Sequence, residues 1–161
     1  MPSINDDIID HEIALEGPPT NDPQDVGGRT QFGISERSNP QAWADGKVTE
    51  EEARAIYETK YLTHPGFHHI LDVPLRRQLV DFGVTSGPQL AIMKLQTLLH
   101  VEADGILGPI TLTALANVHP ETINTQLVVA RLIMICRLVQ KVPADLKYLT
   151  GWVTRAAEFL L

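Results

Sequence analysis

Cysteine is nearly absent: Cys136 is the only one in 161 residues. A single thiol excludes an internal disulfide and any zinc site built on cysteines. Bases are missing where the chain starts. The first 28 residues hold seven carboxylates and neither lysine nor arginine. Over the whole chain 13 Lys and Arg face 20 Asp and Glu, for a net charge of -7. A nucleic-acid binder needs a basic stripe, and the sequence offers none. Long apolar runs are also lacking. The longest, Leu127 to Val139, contains Arg131 and Arg137, whereas a membrane span needs about 18–20 residues without such charges. No membrane span is therefore expected. Met1 to Glu16 has neither the basic start nor the apolar run of a secretory signal, so the chain reads as made in a reducing compartment with no export code of its own.

What is present is an ordinary globular composition, 43% hydrophobic and 20% charged, at a length that suits one domain. Periodicity gives mostly helices. Ser3 with Asp6 caps a helix over 3–15, which Gly17, Pro18 and Pro19 end. Thr49 with Glu52 is a capping box for a helix to about Leu62. Further helices are expected over 75–84, from Gly87-Pro88 onward, over 111–117, from Pro120 to about Lys141, and from about Tyr148 to Leu160. The middle of the long one is apolar almost all round, which predicts a central buried helix. Residues 17–35 are rich in turn formers, and a short β-hairpin is expected near 24–35.

Chemistry concentrates between Glu16 and Ser35. Glu16 stands at the end of an amphipathic helix, Asp25 follows across a turn-rich loop, and Thr30 comes just past Gly27 and Gly28. Two carboxylates so placed suit glycoside hydrolysis: one protonates the leaving oxygen, and the other assists water or stabilises oxocarbenium-like charge. A Thr30 hydroxyl can orient that water, and the glycine pair permits close approach of a sugar. Asp6, Asp7, Asp10, Glu12, Asp22 and Asp25 surround Glu16 in sequence with negative charge, which favours a protonated acid. By spacing alone, Glu16 and Asp25 read more readily as solvated loop acids.

Other candidates are weaker. His64, His68 and His69 are separated by Pro65-Gly66, which breaks the helix that would align them as ligands. His11-Glu12 opens like a zinc-protease helix, but Leu15 occupies the position of the second histidine. Arg131 and Arg137 suit pairing with carboxylates, or binding of an acidic sugar. Trp43 and Trp152 suit the core or its rim, or stacking on sugar rings. Asp104-Gly105 lacks the repeated oxygen ligands of a calcium loop.

Glu16-Gly17 followed by Asp25-Val26-Gly27-Gly28-Arg29-Thr30-Gln31-Phe32-Gly33-Ile34 resembles the signature of glycoside hydrolase family 108, E-G-G-Y then D-P-G-G-x-T-x-x-G-I. The likeness continues through Glu51 to Tyr57, Asp81-Phe82, Ser86-Gly87-Pro88, Ala103 to Thr111, and Gly151 to Arg155. The later segments resemble a region labelled as predicted to bind peptidoglycan.

The resemblance implies a mainly α, α+β, lysozyme-like fold, about seven helices around a long central one, over residues 1–161. Residues 1–70 would be the half with the catalytic motif and 71–161 the helical half. It implies an N-acetylmuramidase, phage or prophage endolysin in kind, that cuts the β-1,4 bond between N-acetylmuramic acid and N-acetylglucosamine. Glu16, Asp25 and Thr30 would be catalytic. Gly27, Gly28, Phe32 and Asp22 would contact substrate. The expected partner is the glycan strand of bacterial peptidoglycan, met by a monomer with no cofactor and no metal, in the periplasm after release through a separate pore. A non-catalytic peptidoglycan-binding module, a lytic transglycosylase and a chitinase-like enzyme are the alternatives. Pro18 and Pro19, Val26, Phe32 and Leu62 depart from the family pattern, which bears on the sugar subsites rather than on the proposed acid.

Overall fold

The structure is a computed structural model that describes residues 3–16 and 29–160. The chain divides into two compact units, Met1–His64 and Pro65–Leu161.

In the first unit, α1 spans Ile4–Leu15. The Ser3 hydroxyl accepts from the Asp6 N–H, and the Ser3 N–H donates to the Asp6 carboxylate, so the capping box expected from sequence is formed. Ile8, Ile9 and Glu12 are its buried face. A hairpin follows, β1 Thr30–Gln31 against β2 Ile34–Ser35, antiparallel with Gln31 opposite Ile34. Helix α2, Glu50–Tyr57, opens on the Thr49–Glu52 capping box and continues as a π-helical turn over Glu58–Thr63. Ile8, Ile34, Trp43, Val48, Ala53, Tyr57 and Leu62 are among its buried apolar side chains.

The second unit is helical. A 3₁₀ turn at Phe67–His69 precedes α3 (Val73–Ser86), α4 (Pro88–Leu98), α5 (Pro109–Ala116), α6 (Pro120–Lys141) and α7 (Leu149–Ala157). Asp72 caps α3 by accepting from the Leu75 N–H. Gly87, at φ +91, ends α3 and starts α4, a backbone conformation that only glycine takes without strain. Phe67, Leu75, Leu79, Phe82, Leu95 and Leu127 are fully buried, each contributing roughly 1.5–3 kcal/mol of apolar burial.

The mainly α, lysozyme-like class with a small hairpin is as expected, and each expected helix is present within a few residues. The hairpin occupies 30–35; of the rest of its expected span, Arg29 precedes the first strand and 24–28 lie outside the described residues.

The character of α6 differs from expectation. It packs on α3, α4 and α7, yet Val129, Ile133 and Leu138 are 42–49% exposed. It buries one face only, through Ile123, Asn124, Leu127, Val128, Arg131 and Ile135. An apolar composition all round therefore did not make a buried helix. By length and hydropathy α6 would also be long and apolar enough to cross a membrane, a property that counting uninterrupted apolar residues missed. Arg131, in its middle, is buried in an ion pair with Asp81.

Candidate active site

Glu16 is the residue on which α1 ends. Its backbone is still helical, and its N–H donates to the Ile13 carbonyl at 3.2 Å. Its side chain is half-buried. What it lies against is the turn of the hairpin. The two turn residues, Phe32 at φ +52 and Gly33 at φ +73, are both left-handed, as in a type I′ two-residue hairpin. A Cβ added to Gly33 would fall 2.7 Å from Glu16 Cγ and 2.8 Å from its Cδ, and would also overlap the Tyr57 hydroxyl. The Glu16 carboxyl, the Gly33 backbone and the Tyr57 phenol thus converge at one place, and only a residue without a side chain leaves room for them.

The hairpin is braced from several sides. The Tyr57 hydroxyl donates to the Phe32 carbonyl at 3.2 Å. The Trp43 indole N–H donates to the Ile34 carbonyl at 3.1 Å, and the Val48 N–H to the Gln31 side chain at 3.2 Å. Arg29 reaches Glu36 through two N–H groups, at 2.9 and 2.8 Å, and lies 4.8 Å above the Trp43 ring. That pairing holds the Glu36 carboxyl below the usual carboxylate range and raises Arg29. Left-handed geometry at Phe32, a non-glycine residue, is costly by itself. These contacts offset the cost.

Of the residues expected to be catalytic or to contact substrate, Glu16, Thr30 and Phe32 are described. Glu16 meets the hairpin turn, Thr30 pairs with Ser35 across the strands, and Phe32 forms the turn itself. Asp25, Asp22, Gly27 and Gly28 lie outside the described residues. The run of acids is less isolated than the sequence suggests. Arg54 of α2 pairs with Asp10 of α1 and lies 3.8 Å from Glu50.

Sequence reasoning missed Tyr57, which reads as one more apolar residue of α2, and it did not single out Gly33. A glycine after an aromatic residue, between two short alternating segments, is the signal that finds the turn. Trp43 is 7% exposed and serves as a hairpin brace, not as a platform for a sugar ring.

The second unit carries two polar clusters. Asp81 of α3 is fully buried, with Arg131 of α6 against its Oδ2 and Arg155 of α7 donating from Nε to its Oδ1. Two segments that the sequence flagged separately, Asp81-Phe82 and Gly151 to Arg155, are thus joined by an ion pair. In the other cluster, Gln96 is buried and organises the loop before α5. Its amide nitrogen reaches the Asp104 carboxylate at 2.7 Å and the Thr111 hydroxyl at 3.0 Å, and its oxygen accepts from the Gly105 N–H at 2.9 Å. These bonds explain the Ala103 to Thr111 motif as a folded loop. The Gln96 amide and the Ile106 N–H hold the Asp104 carboxyl below its ordinary value.

Residues 9–87 match the family described as Glycosyl hydrolase 108, and residues 90–157 match a family described as Predicted Peptidoglycan domain. A solved structure, that of Brucella abortus SagA, is similar to the chain with a TM-score of 0.79 and 26% sequence identity. The similarity covers 97% of this chain and 91% of that one. No curated protein matches the chain. Glu16, Thr30 and Phe32 all fall in the first matched segment, and Gln96, Asp104, Arg131 and Arg155 in the second. Residues 9–87 are thus a segment of the glycosyl hydrolase 108 kind, and the chain is a glycoside hydrolase that acts on peptidoglycan.

Proposed function

We propose that the protein is an N-acetylmuramidase of the phage endolysin kind, working as a monomer on the β-1,4 bond between N-acetylmuramic acid and N-acetylglucosamine. Glu16 is the general acid, Asp25 the second carboxylate, and Thr30 the residue that orients water. The observation that carries this reading is the packing of the Glu16 side chain against Gly33. It seats a carboxyl at the foot of the hairpin that bears Thr30, and the segment bearing Asp25 joins Glu16 to that hairpin in sequence.

The chemistry follows from these groups. The Glu16 proton passes to the glycosidic oxygen as the bond from that oxygen to C1 of the muramic acid ring breaks. The leaving sugar departs with a free hydroxyl. Positive charge spreads over C1 and the ring oxygen, and the Asp25 carboxylate stabilises it. Water held by the Thr30 hydroxyl adds to C1 and passes a proton to the ionised Glu16, leaving a reducing end on muramic acid and restoring the acid. Tyr57 positions rather than reacts: by holding the Phe32 carbonyl it fixes the turn against which Glu16 rests.

The test is digestion of purified peptidoglycan by the wild type and by Glu16→Gln, with the released fragments read by mass spectrometry. The wild type should yield reducing ends on muramic acid. The variant should be slower by about 10²–10⁴-fold, the usual contribution of a positioned acid, with an unchanged thermal midpoint. A variant that clears the wall as fast as the wild type removes Glu16 from its role. Products ending in 1,6-anhydromuramic acid would replace the hydrolase reading with a transglycosylase.

A further inference from the structure

A groove in the second unit carries positive charge that no described side chain neutralises. It runs between α4 and α6, encloses about 420 Å³, and is lined by Lys94 of α4 and by Ala130, Ile133, Met134, Arg137, Leu138 and Lys141 of α6. The α6 residues recur at steps of three and four, so they form one stripe of the helix, about 17 Å long. The side chains of Lys94, Arg137 and Lys141 make no ion pair or hydrogen bond among the described residues. No acid lines the groove. Helix α4 has none, and the only acid on α6 is Glu121, about 24 Å along the axis from Arg137. Cations on both walls of an apolar floor suit an occupant with negative groups and an apolar body.

The apolar surface is wider than the groove. Ile133 and Leu138 are half-exposed at its rim. Val129, one turn from Ile133, and Met93, next to Lys94, are exposed as well and extend the surface on both helices. A single bound chain would leave these side chains in water, so the occupant is broad. A protein surface and a bilayer are both broad. Protein interfaces are depleted in lysine, enriched in aromatic residues, and carry about one hydrogen bond per 100–200 Å². This groove has two lysines, no aromatic ring, and no polar side chain besides its three cations. Aliphatic residues beside Lys and Arg are instead the composition of a helix that lies in a bilayer surface. There the alkyl stems stay in apolar surroundings while the charges reach the phosphates. The hydropathy of α6 suits those surroundings. Its packing on α3, α4 and α7, and the buried Arg131–Asp81 pair, keep it from crossing them.

We infer that the α4–α6 face binds the surface of an anionic phospholipid bilayer, with α6 lying along it. Charge acts over about 8 Å at physiological salt, so this face, and not the net charge of -7, sets the attraction. The inference stands apart from the cleavage reaction, because binding is measured without turnover.

The test floats the full chain with vesicles of phosphatidylcholine, alone or mixed equally with phosphatidylglycerol. The protein should rise with the mixed vesicles and stay behind with the neutral ones. It should be released at about 1 M salt, where the Debye length is about 3 Å. Arg137→Gln combined with Lys141→Gln should weaken binding about tenfold or more, and Ile133→Ser combined with Leu138→Ser about as much. These four side chains are exposed, so both double variants should keep the wild-type thermal midpoint. Lys47→Gln, an exposed cation of the first unit, should bind as the wild type does.

Cys136 locates the contact, since it is the only thiol and is exposed on α6. An environment-sensitive dye on Cys136 should shift to the blue as mixed vesicles are added. Absence of flotation would overturn the inference and leave an acidic protein surface as the occupant. Equal binding to both vesicle types, wild-type binding by either double variant, an equal loss in Lys47→Gln, or flotation without a dye shift would each overturn it too.

Discussion

The two units use charge in opposite ways. Residues 1–64 hold 13 acids and 5 bases, a net charge of -8, whereas residues 65–161 hold 7 acids and 8 bases, a net of +1. In the first unit the ion pairs are on the surface: Arg29 and Glu36 are about 40% exposed, and Arg54 and Asp10 similar. Its hairpin is held by the exposed Arg29–Glu36 pair together with uncharged groups, the Trp43 indole, the Tyr57 phenol and the Gln31 amide, bonded to backbone atoms. In the second unit the charges are inside. Asp81 is fully buried, and with Arg131 and Arg155 it links α3, α6 and α7. Charge sets the surface field of one unit and the internal connectivity of the other. The match to Glycosyl hydrolase 108 runs to residue 87, so Asp81 belongs by family to the first matched segment while packing in the second unit. The buried ion cluster and the hairpin beside the proposed acid are therefore built from different kinds of residue.

The largest structural effect should come from the buried cluster. Asp81→Asn removes the buried anion that Arg131 and Arg155 share. Breaking a buried pair by deleting one partner typically costs about 3–5 kcal/mol, because the remaining charge is left uncompensated. The matching change in the first unit, Arg54→Ala, disrupts an exposed pair and should cost at most about 1 kcal/mol. Denaturant unfolding of the two variants measures the contrast directly. Comparable losses would mean that the units do not differ in how they use charge.

Next in size is the hairpin turn. Gly33→Ala puts a methyl group where Glu16 Cγ and Cδ and the Tyr57 hydroxyl already lie, at a positive φ that alanine resists. Strain of this kind costs about 1–3 kcal/mol. The stability loss should thus be smaller than that of Asp81→Asn, yet the loss of wall-cleaving activity should be larger, because the displaced group is the proposed acid. The two variants separate the roles. If Asp81→Asn, assayed well below its unfolding midpoint, loses activity as Gly33→Ala does, catalytic geometry is not confined to the first unit.

Much of this was legible in the sequence because local signals act locally. Ser3 with Asp6, Thr49 with Glu52, Pro120 and Gly87 all mark helix ends through groups a few residues apart, and all stand where expected. The family signature drew attention to Glu16, Thr30 and Phe32 for the same reason. What stayed hidden depends on contacts between distant residues. Tyr57 meets Phe32 across 25 positions and Asp81 meets Arg155 across 74, and no spacing rule connects them. The burial of α6 was misjudged because composition reports what a helix can bury and not which neighbours arrive to cover it.

The smallest expected effect concerns acid. Asp6 and Glu52 are held below their ordinary values by the backbone N–H groups of Ser3 and Thr49, and Glu36 by Arg29. All three belong to the first unit; Asp104, held down by Gln96, belongs to the second. A carboxyl whose folded value is lowered favours the folded state above its unfolded value, near 3.8 for Asp and 4.5 for Glu. That contribution is lost as the pH falls through the lower folded value. Acidification below about pH 4 should therefore loosen the N-terminal turns of α1 and α2 and the Arg29–Glu36 brace in the first unit and the Asp104 loop in the second. Amide hydrogen exchange at pH 6 and pH 3, corrected for the intrinsic rate, reads this residue by residue. A fall in protection spread evenly over both units would show that these surface carboxylates do not set where acid acts first.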